Sequence, residues 1–167
     1  MRFSRAGDIC VEPLDIDVNV MRTLNQNLML FFTNITRKAE NVLLEQVENM
    51  DARLAVLEQM KELALCARDG LRRKQVDDFG ELLHQGWLMK RQLASRISNP
   101  AIDASYDAAR AAGALGGKIT GAGGGGFLLL YCPAEHQTAV RNALSHLPEL
   151  PFRFERDGSK VIFNYRR

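Results

Sequence analysis

The stretch from Gly113 to Gly126 constrains this chain most, because it holds eight of the 13 glycines. It reads Gly113-Ala-Leu-Gly116-Gly117-Lys118-Ile119-Thr120-Gly121-Ala122-Gly123-Gly124-Gly125-Gly126. It runs straight into Phe127-Leu-Leu-Leu-Tyr131-Cys132-Pro133, an apolar run of strand length closed by a proline. Glycine lacks a Cβ, so it reaches positive φ cheaply and lets another group approach the backbone closely. Four in a row lose more conformational entropy on folding than a simple turn requires. One reading is a cradle whose successive N–H groups point at an anion, phosphate above all. The other is a flexible loop or a bulged strand entry.

Flanking residues test which phosphate loop this is. Gly121-x-Gly123-x-x-Gly126 matches the dinucleotide fingerprint in form, but that motif follows a strand and opens a helix. Here the expected strand comes after the glycines. A P-loop ends in Gly-Lys-Ser/Thr, whereas Phe127 follows Gly126. A protein-kinase glycine loop needs catalytic-loop and metal-binding signatures downstream, and the sequence has neither.

The segment Gly117-Lys118-Ile119-Thr120-Gly121-Ala122-Gly123-Gly124-Gly125-Gly126-Phe127 resembles the third conserved motif of the GHMP kinases, the galactokinase, homoserine kinase, mevalonate kinase and phosphomevalonate kinase superfamily. Leu28 to Arg37 and Ile97 to Asp103 are similar to the sugar-kinase branch that includes the D-glycero-D-manno-heptose 7-phosphate kinases. The resemblance covers nearly the whole chain. It implies an α+β fold, a ferredoxin-like antiparallel sheet with helices on one face and an inserted helical layer. It also implies a single C-terminal domain over residues 1–167. The N-terminal domain of such an enzyme carries the Pro-x-x-x-Gly-Leu-Gly-Ser-Ser type loop, the Mg²⁺ ligand and usually a catalytic aspartate. None of those motifs occurs in this sequence, so the chain looks like the C-terminal half, inactive alone.

Composition fits that expectation. One domain suits 167 residues, and a chain this long buries a real core without staples. A net charge of +2 is too balanced for a nucleic-acid binder. Cys10, Cys66 and Cys132 are widely spaced and read as reduced thiols, which favours the cytoplasm. No apolar segment approaches the ~18 residues of a membrane span.

Along the chain, residues 1–8 read as a loose end, and Ile9-Cys10-Val11 as a strand that Pro13 ends. Leu14, Ile16, Val18 and Val20 alternate with polar residues, which suggests a half-buried strand; a loop leading into a short helix also fits. Asp15 and Asp17 would share one face of that strand, but no third metal ligand is near and a solvated face explains them. Leu28–Phe32 reads as a buried strand. Helical spacing follows from Ile35 to Met50. A second helix is expected with Asp51 as N-cap and Asp69-Gly70 as its end, and a third runs from Val76 to Leu93. Asn99-Pro100 is a helix start, and that helix spans Ala101–Ala112. After the glycines come strand Phe127–Tyr131, a helix near Ala134–Leu147, and a hairpin from Phe152 to Tyr165 turning at Asp157-Gly158.

Phosphoryl transfer asks a protein mainly to position groups and stabilise spread negative charge. The resemblance implies that Thr120, Gly121, Ala122, Gly123, Gly124 and Gly125 form the nucleotide-phosphate wall. Lys118 would add a cation at its entrance, or be an ordinary strand-end lysine. Arg37 follows a buried strand in a first helical turn. There an anionic partner would justify it, and the family's Thr-Gly-x-x-Arg pattern recurs as Thr33-Asn34-Ile35-Thr36-Arg37, which implies a sugar-phosphate role. Asn34 stands where that pattern has glycine. His84, His136 and His146 are scattered with no second ligand at i+4, so no catalytic or metal residue is assigned. Trp87 with Lys90 could line a cleft, although core packing suits the tryptophan better. Arg72-Arg73-Lys74 reads as a solvated turn. ATP and Mg²⁺ are implied, held mainly by the N-terminal kinase domain, with a sugar or sugar phosphate as acceptor. The face that meets that domain also offers a route to self-association.

Overall fold

A computed structural model describes residues 1–4, 6–36 and 38–155, together with Val161 and Phe163. Its centre is an antiparallel sheet of β3 (Leu28–Phe32), β4 (Gly116–Ile119) and β5 (Phe127–Tyr131) in the order β3-β5-β4. Residues 148–150 lie along the free edge of β3. Phe32 N–H donates to Pro148 O at 2.8 Å, Leu150 N–H donates to Leu30 O at 2.8 Å, and Phe31 bridges Glu149. Counting that segment, the spatial order is fourth, first, third, second, which is the ferredoxin-like arrangement the sequence led us to expect.

Register decides which side chains share a face, because successive residues of a strand point opposite ways. Met29, Phe31, Ile119, Leu128 and Leu130 share one face, and all are buried in the main core. α5 (Pro100–Ala111) contributes Ile102, Tyr106 and Ala109, α6 (Gln137–Ala143) adds Val140, and α2 (Ala39–Glu48) adds Val42. Each buried valine, leucine, isoleucine, methionine or phenylalanine among them contributes ~1.5–3 kcal/mol by leaving water. A smaller cluster covers part of the opposite face. There Val20 and Leu24 of α1 (Val18–Asn27) meet Leu28, Tyr131 and Leu71.

Several local expectations need correction. The alternation over Leu14–Val20 is not a strand but the alternative reading, a loop leading into a short helix. Asp17 caps α1, its carboxylate accepting from Asn19 N–H at 2.8 Å, and Val20, Leu24 and Asn27 then fall on one buried helical stripe. Capping satisfies an orphan helix donor, which a strand would not ask of Asp17. Lys74 pairs with the same carboxylate at 2.9 Å and holds its pKa below the usual range, so Asp17 is a cap and not a ligand. Asp51 caps nothing; it opens a short 3-10 turn (Asp51–Arg53) ahead of α3 (Leu54–Arg72). Gly70 lies inside α3, and the left-handed position falls to Lys74 at φ 64°. Gln75 N–H returns to Gly70 O at 2.9 Å and Lys74 N–H to Leu71 O at 3.2 Å, so a Schellman cap closes the helix without glycine.

The third helix is α4 (Asp78–Lys90), packed beside α3. Asn99 caps α5 as expected, accepting from Ala101 and Ile102 N–H at 3.1 and 3.0 Å. The expected helix near 134–147 shortens to a 3-10 turn (Ala134–His136) plus α6. The first residues are not loose: β1 (Arg2–Phe3) and β2 (Ile9–Cys10) pair as a small exposed ribbon. Phe152 packs on the smaller cluster. The Asp157-Gly158 turn and most of the return strand lie outside the described residues. No helix among the described residues is long and apolar enough to cross a membrane.

Candidate functional site: a glycine loop with four open amides

The glycines divide between two structural elements. Gly116 and Gly117 belong to β4, so a strand precedes the loop as well as following it. The dinucleotide fingerprint still fails, because the loop delivers the chain into β5 and not into a helix. Thr120–Gly126 is the hairpin connection from β4 to β5, closed by Thr120 N–H donating to Phe127 O at 2.9 Å.

Neighbouring backbone holds the far half of this loop. Gly124 N–H donates to Ile97 O at 2.6 Å and Gly126 N–H to Ile35 O at 2.8 Å. Thr33 grips Gly126 O twice, from its N–H at 2.9 Å and from its hydroxyl at 2.8 Å. A Cβ on Gly123 would stand 2.8 Å from Ile97 O, and one on Gly125 would stand 2.5 Å from Ile35 O. These residues are wedged between two carbonyls, and only glycine passes. Gly121, Gly123, Gly124 and Gly126 take φ of 71°, 106°, 73° and 86°, the left-handed half of the map.

The near half is open. Gly121 is exposed, and a Cβ there would meet nothing within 4 Å. Its carbonyl accepts from the Lys90 ammonium at the end of α4. With those ties made, the N–H groups of Gly121, Ala122, Gly123 and Gly125 have no acceptor among the described residues. Four donors without a protein acceptor within five residues make the kind of backbone nest that binds anions, with Gly121 exposed, Ala122 half-buried, and Gly123 and Gly125 buried behind them.

The surroundings supply positive charge and a groove. Lys118 sits on the sheet face beside Leu129, near the Phe32–Phe127 ring contact of 5.3 Å. Lys118 and Lys90 both line the end of an apolar groove of about 210 Å³ between α3 and α4. On the loop's other flank, a cavity of about 460 Å³ opens between Thr33–Ile35, the first turns of α5 and His146. Asn34 borders it at φ 57°, the left-handed conformation that glycine favours and asparagine tolerates. That resolves how Asn34 can stand in for glycine. Arg37 lies outside the described residues.

Other residues singled out by sequence disperse. Trp87 is core, at 1% exposure. His136 packs on Gly113, and His146 lies 3.5 Å from Ser105 Oγ. His84 Nδ1 meets Tyr106 Oη at 2.7 Å. Burial pushes the Tyr106 phenol up to about 12, so it is the donor and His84 the acceptor. Burial first, and Arg110 second, hold the His84 pKa below its ordinary value. Sequence reasoning missed the ties made by Thr33, Ile35, Ile97 and Lys90. Three of these use main-chain carbonyls or amides, which every residue has and no sequence pattern marks.

Comparison with known proteins gives the family and the fold. The family model described as GHMP kinases C terminal matches residues 67–149. A D-glycero-alpha-D-manno-heptose 7-phosphate kinase of Campylobacter jejuni is 28% identical over 133 residues, 78% of this chain. The L-fucokinase/L-fucose-1-P guanylyltransferase of Bacteroides fragilis is 35% identical over 117 residues, 68% of this chain. The chain spans 39% of the length of the first and 12% of the second. The crystal structure of a putative sugar kinase from Campylobacter jejuni superposes with a TM-score of 0.61 at 28% identity, covering 88% of this chain and 42% of that one. The glycine loop lies within the matched segment, and the chain belongs to the GHMP kinases through their C-terminal domain.

Proposed function

We propose that this chain is the C-terminal lobe of an ATP-dependent sugar kinase that phosphorylates heptose 7-phosphate at its anomeric hydroxyl in the cytoplasm. The observation that carries the reading is the set of four amides without an acceptor among the described residues, at Gly121, Ala122, Gly123 and Gly125, beside two lysines. In this reading those amides and the Thr120 hydroxyl face the nucleotide phosphates. Preorganised N–H donors stabilise spreading phosphoryl charge without reorganising during the reaction. Lys118 adds a cation at the entrance, and Arg37 holds the 7-phosphate of the sugar. ATP carries the transferred group and its Mg²⁺. In this reading, as the family resemblance implies, the ion and most of the nucleotide fall to an N-terminal lobe, and the chain alone binds without turning over.

Titration of the chain with ATP, read by the amide signals of the glycine loop, together with a turnover assay with ATP, Mg²⁺ and heptose 7-phosphate, tests this. The expected result is saturable shifts at Gly121–Gly125 without turnover until an N-terminal lobe is supplied. Unmoved glycine signals would refute the phosphate-facing role, and robust turnover by the chain alone would refute the two-lobe requirement. The 35% identity to the Bacteroides fragilis enzyme favours a second acceptor, L-fucose, and the same assay with fucose in place of the heptose decides between them.

A further inference from the structure

The two halves of the glycine loop are held in different ways. Wedged Gly123 and Gly125 have no room to turn, and the Gly124 and Gly126 amides are tied to fixed carbonyls. A Cβ on Gly121 would meet nothing within 4 Å, so this single glycine lets the peptide unit that follows it rotate at little steric cost. The Ala122 methyl packs on the main core, but it leaves the orientation of the Gly121–Ala122 peptide plane open. The described tie on that plane is the Lys90 ammonium at the Gly121 carbonyl.

A trans peptide is planar, with its C=O and N–H on opposite sides. No described peptide is cis. Whatever fixes the Gly121 carbonyl therefore fixes the direction of the Ala122 amide. We infer that Lys90 is the positioning residue for the open half of the loop: it holds the Gly121 carbonyl toward α4 and so turns the Ala122 N–H away from α4, toward a bound phosphoryl oxygen. This rests on the phosphate-facing reading proposed above.

The ammonium sits at the end of a well-anchored element. Trp87, one turn earlier, is buried. His84 is bonded to Tyr106 of α5, and Arg91 pairs with Asp103 of α5 at 3.1 Å. Gly80 lies so close to β4 that a Cβ on Gly116 would stand 1.9 Å from its carbonyl oxygen. α4 is thereby pinned to the sheet edge and to α5, and it delivers Lys90 to a fixed point beside the loop. A lysine in the last helical turn is also favoured by the helix dipole, so the cation is placed without strain.

Lys90→Met keeps the long apolar stem and removes the donor, while Lys118→Met removes the other lysine of the same groove. The readouts are the ¹H–¹⁵N signals of Gly121 and Ala122 in the free chain, and affinity for inorganic tripolyphosphate. For Lys90→Met we expect both signals to move or broaden before any anion is added. Its affinity should fall about tenfold, the size of one charge-assisted hydrogen bond. Lys90→Arg should restore most of both. Lys118→Met should weaken binding in a salt-sensitive way and leave the free-state signals in place. Should the methionine variant lose its fold, Lys90→Gln reads the same two signals. Free-state signals unchanged in the Lys90 variants would overturn the positioning role, leaving Lys90 a bulk charge equivalent to Lys118. A wild-type chain that ignores tripolyphosphate would overturn the phosphate-facing reading instead, and the inference with it, while the free-state signals still report whether the tie exists.

Discussion

Gly116 and Gly117 are required for a different reason from Gly121, although the sequence presents them as one run. In the first set, the space a side chain would fill is already taken by protein. A Cβ on Gly116 would lie 1.9 Å from Gly80 O and 2.8 Å from the His84 amide, because α4 rides directly on β4. On Gly117 it would lie 2.4 Å from Leu129 O, and on Gly113, at φ 109°, 2.6 Å from the His136 ring. In the loop from Gly121 to Gly126, positive φ matters as well: Gly123 and Gly125 still meet carbonyls, but at Gly121 the space is empty and only the left-handed backbone asks for glycine. A glycine states that a side chain is unwelcome. It does not state whether helix, strand or ligand is the reason.

The same substitution in each set breaks or sharpens that contrast. Gly116→Ala should have the largest effect, a loss of about 3 kcal/mol in urea unfolding, because the atom in the way is helix backbone and cannot rotate aside. It should also weaken tripolyphosphate binding indirectly, since the helix that must move carries Lys90. Gly123→Ala comes next. It combines φ 106° with a contact 2.8 Å from Ile97 O, so about 2 kcal/mol is expected. Tripolyphosphate binding should then be lost by a variant that remains folded at 25 °C. If Gly116→Ala proved the milder of the two, the division between packing and loop glycines would be wrong.

Much of this architecture was legible in the sequence, for physical reasons. Leu28–Phe32 and Phe127–Tyr131 are apolar runs whose strand identity survives because both faces of the sheet are at least partly covered. Asn99-Pro100 marked a helix start because a side-chain cap and a fixed φ are local chemistry. What failed were choices settled by tertiary neighbours. The Leu14–Val20 alternation suits either period until Leu28, Leu71 and Tyr131 supply a surface for Val20 and Leu24. Gly70 looked like a helix end, but α3 runs through it, and Lys74 takes the left-handed turn while reaching Asp17. At the site, the glycines and Lys118 could be named in advance, whereas Lys90 was read only as a cleft lining beside Trp87. The division of the glycines into wedged and open halves could not be named in advance, because it depends on the carbonyls of Ile35 and Ile97.

Smaller effects probe the open half and the helix that serves it. Gly121→Ala should cost only about 1 kcal/mol, the penalty for a left-handed alanine with free space around it. A loss as large as that of Gly116→Ala would mean that the near half of the loop is packed after all.

The smallest effect is a pH dependence from His84, which belongs to the packing side because its backbone is what Gly116 leaves room for. Its folded pKa lies below the ordinary 6.5, chiefly through burial, so the folded state prefers the neutral ring that accepts from Tyr106. The unfolded chain then binds more protons near that pH, and stability must rise with pH there. The contribution is complete above 6.5 and is lost as pH falls through the lower folded value. Asp17, Glu45 and Asp69 have depressed pKa values too, but their contributions vanish only below their ordinary values of 3.8 to 4.5, so the two windows separate. Urea unfolding between pH 7.5 and about 5 should therefore show a gentle decline in the wild type. His84→Gln, which keeps a polar partner for Tyr106 and does not titrate, should flatten it. An equal decline in both proteins would assign the pH dependence elsewhere and leave the His84–Tyr106 contact as a neutral clasp between α4 and α5.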